Sequence, residues 1–331
     1  MKAATFFLLV LFSSFFVAGC NKSSNVVAPG SVPRWFESTD SGPFLSIASE
    51  GYNLIGSGPN GVFVSPDRGL TWIEADSGLP KYGAYYVAVE GRSIIAANTL
   101  AYGTFLSTND GTTWSKNDSG LVTVPNAVPP GNYQQVASLA SYGPNIFSGI
   151  WYNGVYRTVD PATVWTAANN GMAKATVFSY AFVGSYIFAG TNNGIYVSTD
   201  NGTNWTPANN GLSVNSKQPG KIPSVESLAT NGTSIYAGAL DGELFVSSDY
   251  GKSWTDISTR LQSNPGSAVY VGVDDSCLVA GDNAGVFATT DNGATWTDIT
   301  SNIPSPSVSG LFITHHFIFV SSGDVVWRSP I

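Results

Sequence analysis

The chain has 331 residues, 43% of them hydrophobic and 13% aromatic, with only 11% charged and with 36 glycines. That balance fits an all-β protein of short strands and tight turns, in one large domain or two small ones. The formal net charge of −8, with arginines (Arg34, Arg68, Arg92, Arg157, Arg260, Arg328) scattered rather than aligned in a stripe, speaks against nucleic-acid binding.

The first segment reads as an address rather than a fold. Lys2 supplies a positive start, and Phe6 to Val17 is apolar apart from Ser13 and Ser14. Such a stretch is a secretory signal, too short for a typical membrane-spanning helix. It ends in Val17-Ala18-Gly19-Cys20, small residues ahead of a cysteine, which resembles the lipobox of bacterial lipoproteins. The resemblance implies a signal peptide over residues 1–19, a diacylglyceryl group on the Cys20 thiol and stable membrane anchoring. Residues 20–33 follow as a polar, Ser/Pro-rich tether. Asn21, in place of Asp, implies the outer membrane by the sorting rule of enteric lipoproteins. The second cysteine, Cys277, lies in an apolar run and reads as a buried free thiol, so no disulfide is expected.

Beyond the tether one eight-residue unit recurs. Its first copy has Ser65, Asp67, Gly69 and Trp72, and its second has Ser107, Asn109, Gly111 and Trp114. A third, from Thr158 to Trp165, keeps Asp160 and Trp165 but has lost the glycine. The unit then returns as Ser198, Asp200, Gly202 and Trp205, as Ser247, Asp249, Gly251 and Trp254, and as Thr289, Asp291, Gly293 and Trp296. The pattern S/T-x-D-x-G-x-x-W resembles the Asp-box of sialidase-type (BNR) repeats. Its physical content is a hairpin turn: Asp and Ser/Thr bond turn backbone groups, Gly allows positive φ, and Trp opens the next strand with a large buried surface. The resemblance implies that these residues are scaffold, on outer turns away from any binding face.

Three further strands precede each box, as in Val177 to Ala181, Tyr186 to Gly190 and Gly194 to Ser198. Four short strands per repeat make a propeller blade. The tryptophans at 35, 72, 114, 165, 205, 254 and 296 are spaced by roughly 44 residues, a blade length. Arg34-Trp35-Phe36-Glu37-Ser38 has the look of a fourth strand with no box before it, while Val308 to Ser322 and Val325 to Ser329 supply three strands with no fourth after them. Joined, they close a seven-bladed β-propeller of four-stranded antiparallel blades over residues 34–331, with six and eight blades as the competing counts.

Propeller sites lie on the face made by the D–A and B–C loops, at one end of the channel. Long D–A insertions are expected at Asp118 to Gln134 and at Asn209 to Pro223, the second carrying Lys217 and Lys221. The B–C loops add Tyr102 and the off-register pair Trp151-Tyr152. Together with Tyr133 these aromatic side chains are the candidate ligand platform, for a sugar ring or a peptide. Ser46, Ser138, Ser179, Ser227 and Gly310, with Tyr86 and Tyr270, align at one channel-lining position and predict a water-filled channel. No cofactor or metal is expected. The pair His315-His316 falls at an A–B turn with no third ligand nearby, and no EF-type loop supports calcium at the box carboxylates.

Likeness to sialidases would imply an arginine triad, a Tyr–Glu pair and an early F/Y-R-I-P motif. Val32-Pro33-Arg34-Trp35 does not match that motif, and Glu226 reads as the only acid in an inner strand, with Asp241 and Glu243 at a blade edge. The expected function is therefore a non-catalytic binding or scaffolding module of the cell envelope, monomeric, recognising a glycan or protein. A glycoside hydrolase is the first alternative. A membrane-complex assembly factor similar to the photosystem II propeller factor is the second.

Overall fold

The computed structural model describes residues 35–38, 42–50, 53–81, 85–100, 103–121, 135–159, 164–172, 174–212, 221–258, 267–274, 277–304, 307–314 and 316–331. Cys20, Tyr102, Tyr133, Asp160 and His315 lie outside the described residues. Within them the chain forms seven four-stranded antiparallel sheets and no helix beyond a single-residue turn. Each sheet takes its strands in chain order, save the last. Blade 4 is representative, with β14 (Val177–Val183), β15 (Tyr186–Thr191), β16 (Gly194–Ser198) and β17 (Thr206–Pro207).

The first strands of the blades line the axis. They are β2 (Ser46–Glu50), β6 (Tyr85–Glu90), β10 (Val136–Tyr142), β14, β18 (Val225–Thr230), β22 (Tyr270–Val273) and β26 (Val308–Thr314). Each contacts the next, and β26 contacts β2, so the seven sheets close into a ring around a channel. Second strands such as β7 (Ser93–Asn98) are buried at every residue, because a neighbouring blade covers each face. That double burial is why they read as unbroken apolar runs.

Ring closure follows the expected arrangement. β1 (Phe36–Glu37) pairs with β28 (Val325–Pro330), in register Phe36↔Arg328 and Glu37↔Trp327. It becomes the outer strand of blade 7, in the order β1, β28, β27 (Phe317–Ser322), β26. The indole of Trp35 donates to the Ile299 carbonyl of blade 6 at 2.6 Å. Trp114, Trp205 and Trp254 donate in the same way to Ala75, Ala168 and Ala208 of the preceding blade. Trp35 thus reproduces the staple that Trp114, Trp205 and Trp254 make between their blades, while the indole N–H groups of Trp72 and Trp296 find no partner among the described residues.

The fourth strands are shorter than the sequence pattern suggested. Trp205 precedes β17 rather than opening it, and its backbone N–H donates to Asn170 of blade 3 at 2.8 Å. The tryptophan backbone is committed to the neighbouring blade, so it cannot also continue its own ladder.

The box turns explain their own sequence. In blade 4 the Ser198 hydroxyl donates to Asp200 Oδ1 and accepts from the Gly202 N–H, while Asp200 Oδ1 also accepts from the Asn204 N–H. Blade 6 repeats these bonds with Thr289, Asp291, Gly293 and Thr295. Gly202 has φ of 79°, and a Cβ there would lie 2.9 Å from Phe147 of blade 3, so the residue must be Gly for two reasons. In blade 3 the corresponding glycine position is Ala162, and Pro161 stands where the other boxes hold positive φ. The Thr158 hydroxyl of that blade is buried and finds no hydrogen-bond partner among the described residues.

Candidate ligand-binding face

Trp151 and Tyr152 form the B–C turn between β11 (Asn145–Ile150) and β12 (Gly154–Val159). The turn is pinned by its backbone. The Trp151 N–H donates to Gln135 O, and the Tyr152 N–H donates to the Thr176 hydroxyl at 3.0 Å. Tyr152 holds φ of 54°, a left-handed conformation uncommon for an aromatic residue, and its side chain is 62% exposed. Trp151 is exposed as well and sits edge-on to Phe178, with ring centroids 5.9 Å apart. Leu100, exposed on the B–C turn of blade 2, extends the same apolar face.

Phe178 is placed there by a β-bulge. The pairing of β14 with β15 slips between Val177 and Ser179, leaving Phe178 without a partner. The same slip leaves Ala137 in β10, Glu226 in β18 and Ser309 in β26 unpaired. A bulge re-aims the side chain it releases, and these four lie at the D–A end of their inner strands. In blades 2 and 6 the ladder runs without a slip, and Tyr86 and Tyr270 stand paired in it one position on, in the place of Ser179 and Ser227.

The ladder register agrees with the alignment read from sequence. Tyr86 and Tyr270 pair with Ala97 and Gly281, as Ser46, Ser138, Ser179 and Ser227 pair with Ser57, Gly149, Gly190 and Gly238 in their own blades. The serine hydroxyls bond the inner strands of neighbouring blades. Ser138 donates to Val177 O of the next blade, and Ser227 accepts from the Val271 N–H. Ser179 accepts from the Leu228 N–H. Each hydroxyl joins two adjacent inner strands, as Ser46 does with Val87 between two strands that carry no bulge.

Tyr86, Tyr270 and Glu226 are coupled electrostatically. Burial raises the Tyr86 phenol to about 12, with further contributions from Tyr270 and Glu226. Burial, then Glu226, raises Tyr270. Glu226 is itself raised by burial, offset in part by a 2.7 Å hydrogen bond from Ser224. Blades 2 and 5 are not neighbours, so an interaction between Tyr86 and Glu226 runs across the channel. Beyond this level the channel widens into a cavity of about 430 Å³ lined by Ser49, Ser141, Thr230 and Thr314 with aliphatic side chains of the inner strands.

Other acids fall differently from their sequence reading. Glu226 is not alone among the inner strands, since Glu50 ends β2 and Glu90 ends β6, both at the opposite, A–B end. Glu243 is buried rather than at a blade edge, taking a place where blades 1 and 4 have Gly61 and Gly194. Asp282 at the end of the second strand of blade 6 is buried too; burial raises its pKa, and its Oδ1 accepts from the Ala284 and Gly285 N–H groups. The loop face therefore divides into an aromatic half on blades 2 to 4 and an acidic half on blades 5 and 6. Lys174 and Lys221 are exposed on the D–A segments. His316 faces Asp274 of blade 6 at 3.5 Å, on the opposite face. Nothing in the sequence signalled the bulges, which depend on the approach of the next blade.

Comparison with known proteins agrees with this architecture. A BNR-Asp box repeat model matches residues 244–257, and a BNR/Asp-box repeat model matches residues 196–207. A search of curated protein sequences finds no match. Among solved structures, a GH74 xyloglucanase from Xanthomonas campestris superposes with a TM-score of 0.66 at 17% identity, over 90% of this chain and 53% of the enzyme. YCF48 bound to D1 peptide superposes with a TM-score of 0.67 at 16% identity, over 91% of this chain and 100% of that one. The extracellular domain of a hybrid two-component system from B. thetaiotaomicron gives 0.68 at 15% identity, over 90% of this chain and 40% of that chain. The chain thus spans about half of the xyloglucanase and less of the sensor. One neighbour is an enzyme, one holds a peptide and one is a sensor domain, so the likeness is one of fold. The chain is a seven-bladed β-propeller built on BNR/Asp-box repeats.

Proposed function

We propose that the protein is a non-catalytic binding or scaffolding module of the cell envelope, anchored through an acylated Cys20. In this reading it recognises a glycan or protein ligand with its D–A/B–C face. The observation that carries the reading is the Trp151-Tyr152 turn, an exposed aromatic pair braced against Phe178 at the channel mouth. A rigid, half-exposed tryptophan beside a concave opening is the usual anchor of a sugar ring or peptide side chain. The reading of residues 1–33 as an export signal and tether supports a place at the envelope, and the YCF48 structure of similar fold holds a peptide. Trp151→Ala and Tyr152→Ala, tested by pull-down from envelope extracts and on a glycan array, should abolish capture of the ligand. Undiminished capture would refute this use of the face. Growth with radiolabelled palmitate should label the wild type and not Cys20→Ser.

One observation favours a second reading, glycoside hydrolysis: burial raises Glu226 as it would a general acid. Hydrolysis needs a second carboxylate set across the scissile bond. Turnover of chromogenic glycosides that is lost in Glu226→Gln would establish it.

A further inference from the structure

We infer that the channel mouth is a cation-binding pocket, in which Glu226 and the faces of Tyr86, Tyr270 and Phe178 hold a lysine or arginine side chain of a protein ligand. The inference rests on the binding-module reading above and specifies what the ligand brings to that face.

Three observations support it. First, the bulges of β14 and β18 release Phe178 and Glu226 at the D–A end of the inner strands, and Tyr86 and Tyr270 stand one ladder position further on in blades 2 and 6, both electrostatically coupled to Glu226. A single carboxylate thus shares this end of the channel with aromatic rings, the arrangement in which a desolvated cation is attracted both by charge and by ring quadrupoles. Second, among the described residues no lysine or arginine pairs with Glu226, whose one polar contact is the Ser224 hydroxyl at 2.7 Å. The phenols at the same end are also acids, so they add no positive charge. Burial has made this carboxylate unfavourable as an anion, and a bound cation is the partner that reverses the penalty. Third, the surrounding face is complementary at longer range: Glu243 and Asp282 belong to the same end of blades 5 and 6, and the chain carries a net charge of −8. Trp151, packed on Phe178, would cover the aliphatic stem that leads the cation in.

The test titrates the purified full chain with three peptides, acetyl-Gly-Gly-X-Gly-Gly-amide, where X is arginine, lysine or citrulline. Citrulline keeps the shape of arginine without its charge. The arginine and lysine peptides should bind, and the citrulline peptide should bind about tenfold or more weakly. Glu226→Gln, which keeps size and hydrogen bonding, should erase that preference. Tyr86→Leu should weaken the arginine peptide by about tenfold while Tyr86→Phe stays within about threefold, since the ring face is what acts. Thermal unfolding of each variant shows that the fold is kept. Equal binding of arginine and citrulline, binding of none of the peptides, or a preference that survives Glu226→Gln would overturn the inference. A ligand captured in a Trp151-dependent manner but indifferent to Glu226→Gln would overturn it and leave the binding-module reading standing. A cation preference that persists in Trp151→Ala, with ligand capture unchanged, would instead overturn that reading.

Discussion

The carboxylates of the box turns and the carboxylate of the channel mouth are the same chemical group in opposite settings. Asp249 and Asp291 are brought down to about 2, first by hydrogen bonds from the Ser253 and Thr295 side chains and then by the N–H groups of the same residues. Glu226 is moved upward by burial with one hydroxyl to answer it. The rim uses ionised side chains to stabilise turns, while the mouth holds one that the fold disfavours. Groups of the second kind persist where a fold serves a ligand rather than itself. Replacing residues of each kind should therefore have effects of different size, and for the two carboxylates of opposite sign.

The tryptophans give the largest contrast. Trp205 is buried between blades 3 and 4 and donates its indole N–H to Ala168 at 2.8 Å. Trp205→Ala should lower the unfolding free energy by about 3–5 kcal/mol in chemical denaturation. Trp151→Ala, at the mouth, should change it by less than about 1 kcal/mol, its effect appearing in ligand capture. Comparable losses from both would mean that Trp151 is a packing residue and the division between rim and mouth is false.

A smaller loss is expected within the box turn. Gly202→Ala must place a Cβ 2.9 Å from Phe147 Cε1 on a backbone with φ of 79°. The combined strain should cost about 1–3 kcal/mol, read as a lowered midpoint in the same denaturation series. Gly184, on an A–B turn with φ of 56° and nothing within 4 Å, is the control for φ alone.

The acid limb of stability separates the two carboxylates by sign. A box aspartate has a folded pKa of about 2 against an ordinary 3.8, so it adds stability above about pH 4 that is lost as the pH falls toward 2. Blade 2 already contains the neutral version: Asn109 Oδ1 accepts from the Thr113 N–H, and its Nδ2 donates to the Thr113 hydroxyl. Asp291→Asn should therefore keep the turn and flatten the loss of stability between pH 4 and 2. A slope unchanged from the wild type would show that Asp291 does not drive acid unfolding.

The rim was legible because every blade solves the same local problem with the same residues. Ser198, Asp200, Gly202 and Trp205 contact one another and the adjacent blade within a single turn, so their spacing carries the geometry. The damaged copy was readable in sequence too, since Pro161 and Ala162 depart from the box pattern. The strand Trp35 to Ser38 disclosed ring closure for the same reason. The mouth was legible only in part. Trp151 and Tyr152 stood out by breaking the repeat, but Tyr86, Phe178 and Tyr270 look in sequence like ordinary strand residues. What sets Phe178 and Glu226 apart is a one-residue slip in their inner strands, which leaves no mark in a pattern of apolar alternation, while Tyr86 and Tyr270 come from strands without a slip. Glu226 was visible as an acid in an inner strand, while its aromatic company belongs to blades 40 or more residues distant in the chain.

Glu226→Gln gives the smallest expected change and the most pointed one. A folded-state pKa raised above the ordinary 4.5 means that the folded protein binds the proton more tightly than the unfolded chain. The stability linked to Glu226 is then complete below about pH 4.5 and is lost as the pH rises through the raised value, opposite to the box aspartates. Glutamine cannot ionise, so the variant should escape that loss and unfold at neutral pH no earlier, and by a small margin later, than the wild type. It keeps an oxygen that can accept from Ser224, so the local hydrogen bond need not be given up. Thermal unfolding of wild type and Glu226→Gln across pH 4 to 8 should give midpoints that coincide at the acid end and separate in favour of the variant toward neutrality. A variant less stable than the wild type at neutral pH would show that the carboxylate supports the ring, and the mouth would then belong with the rim as scaffold.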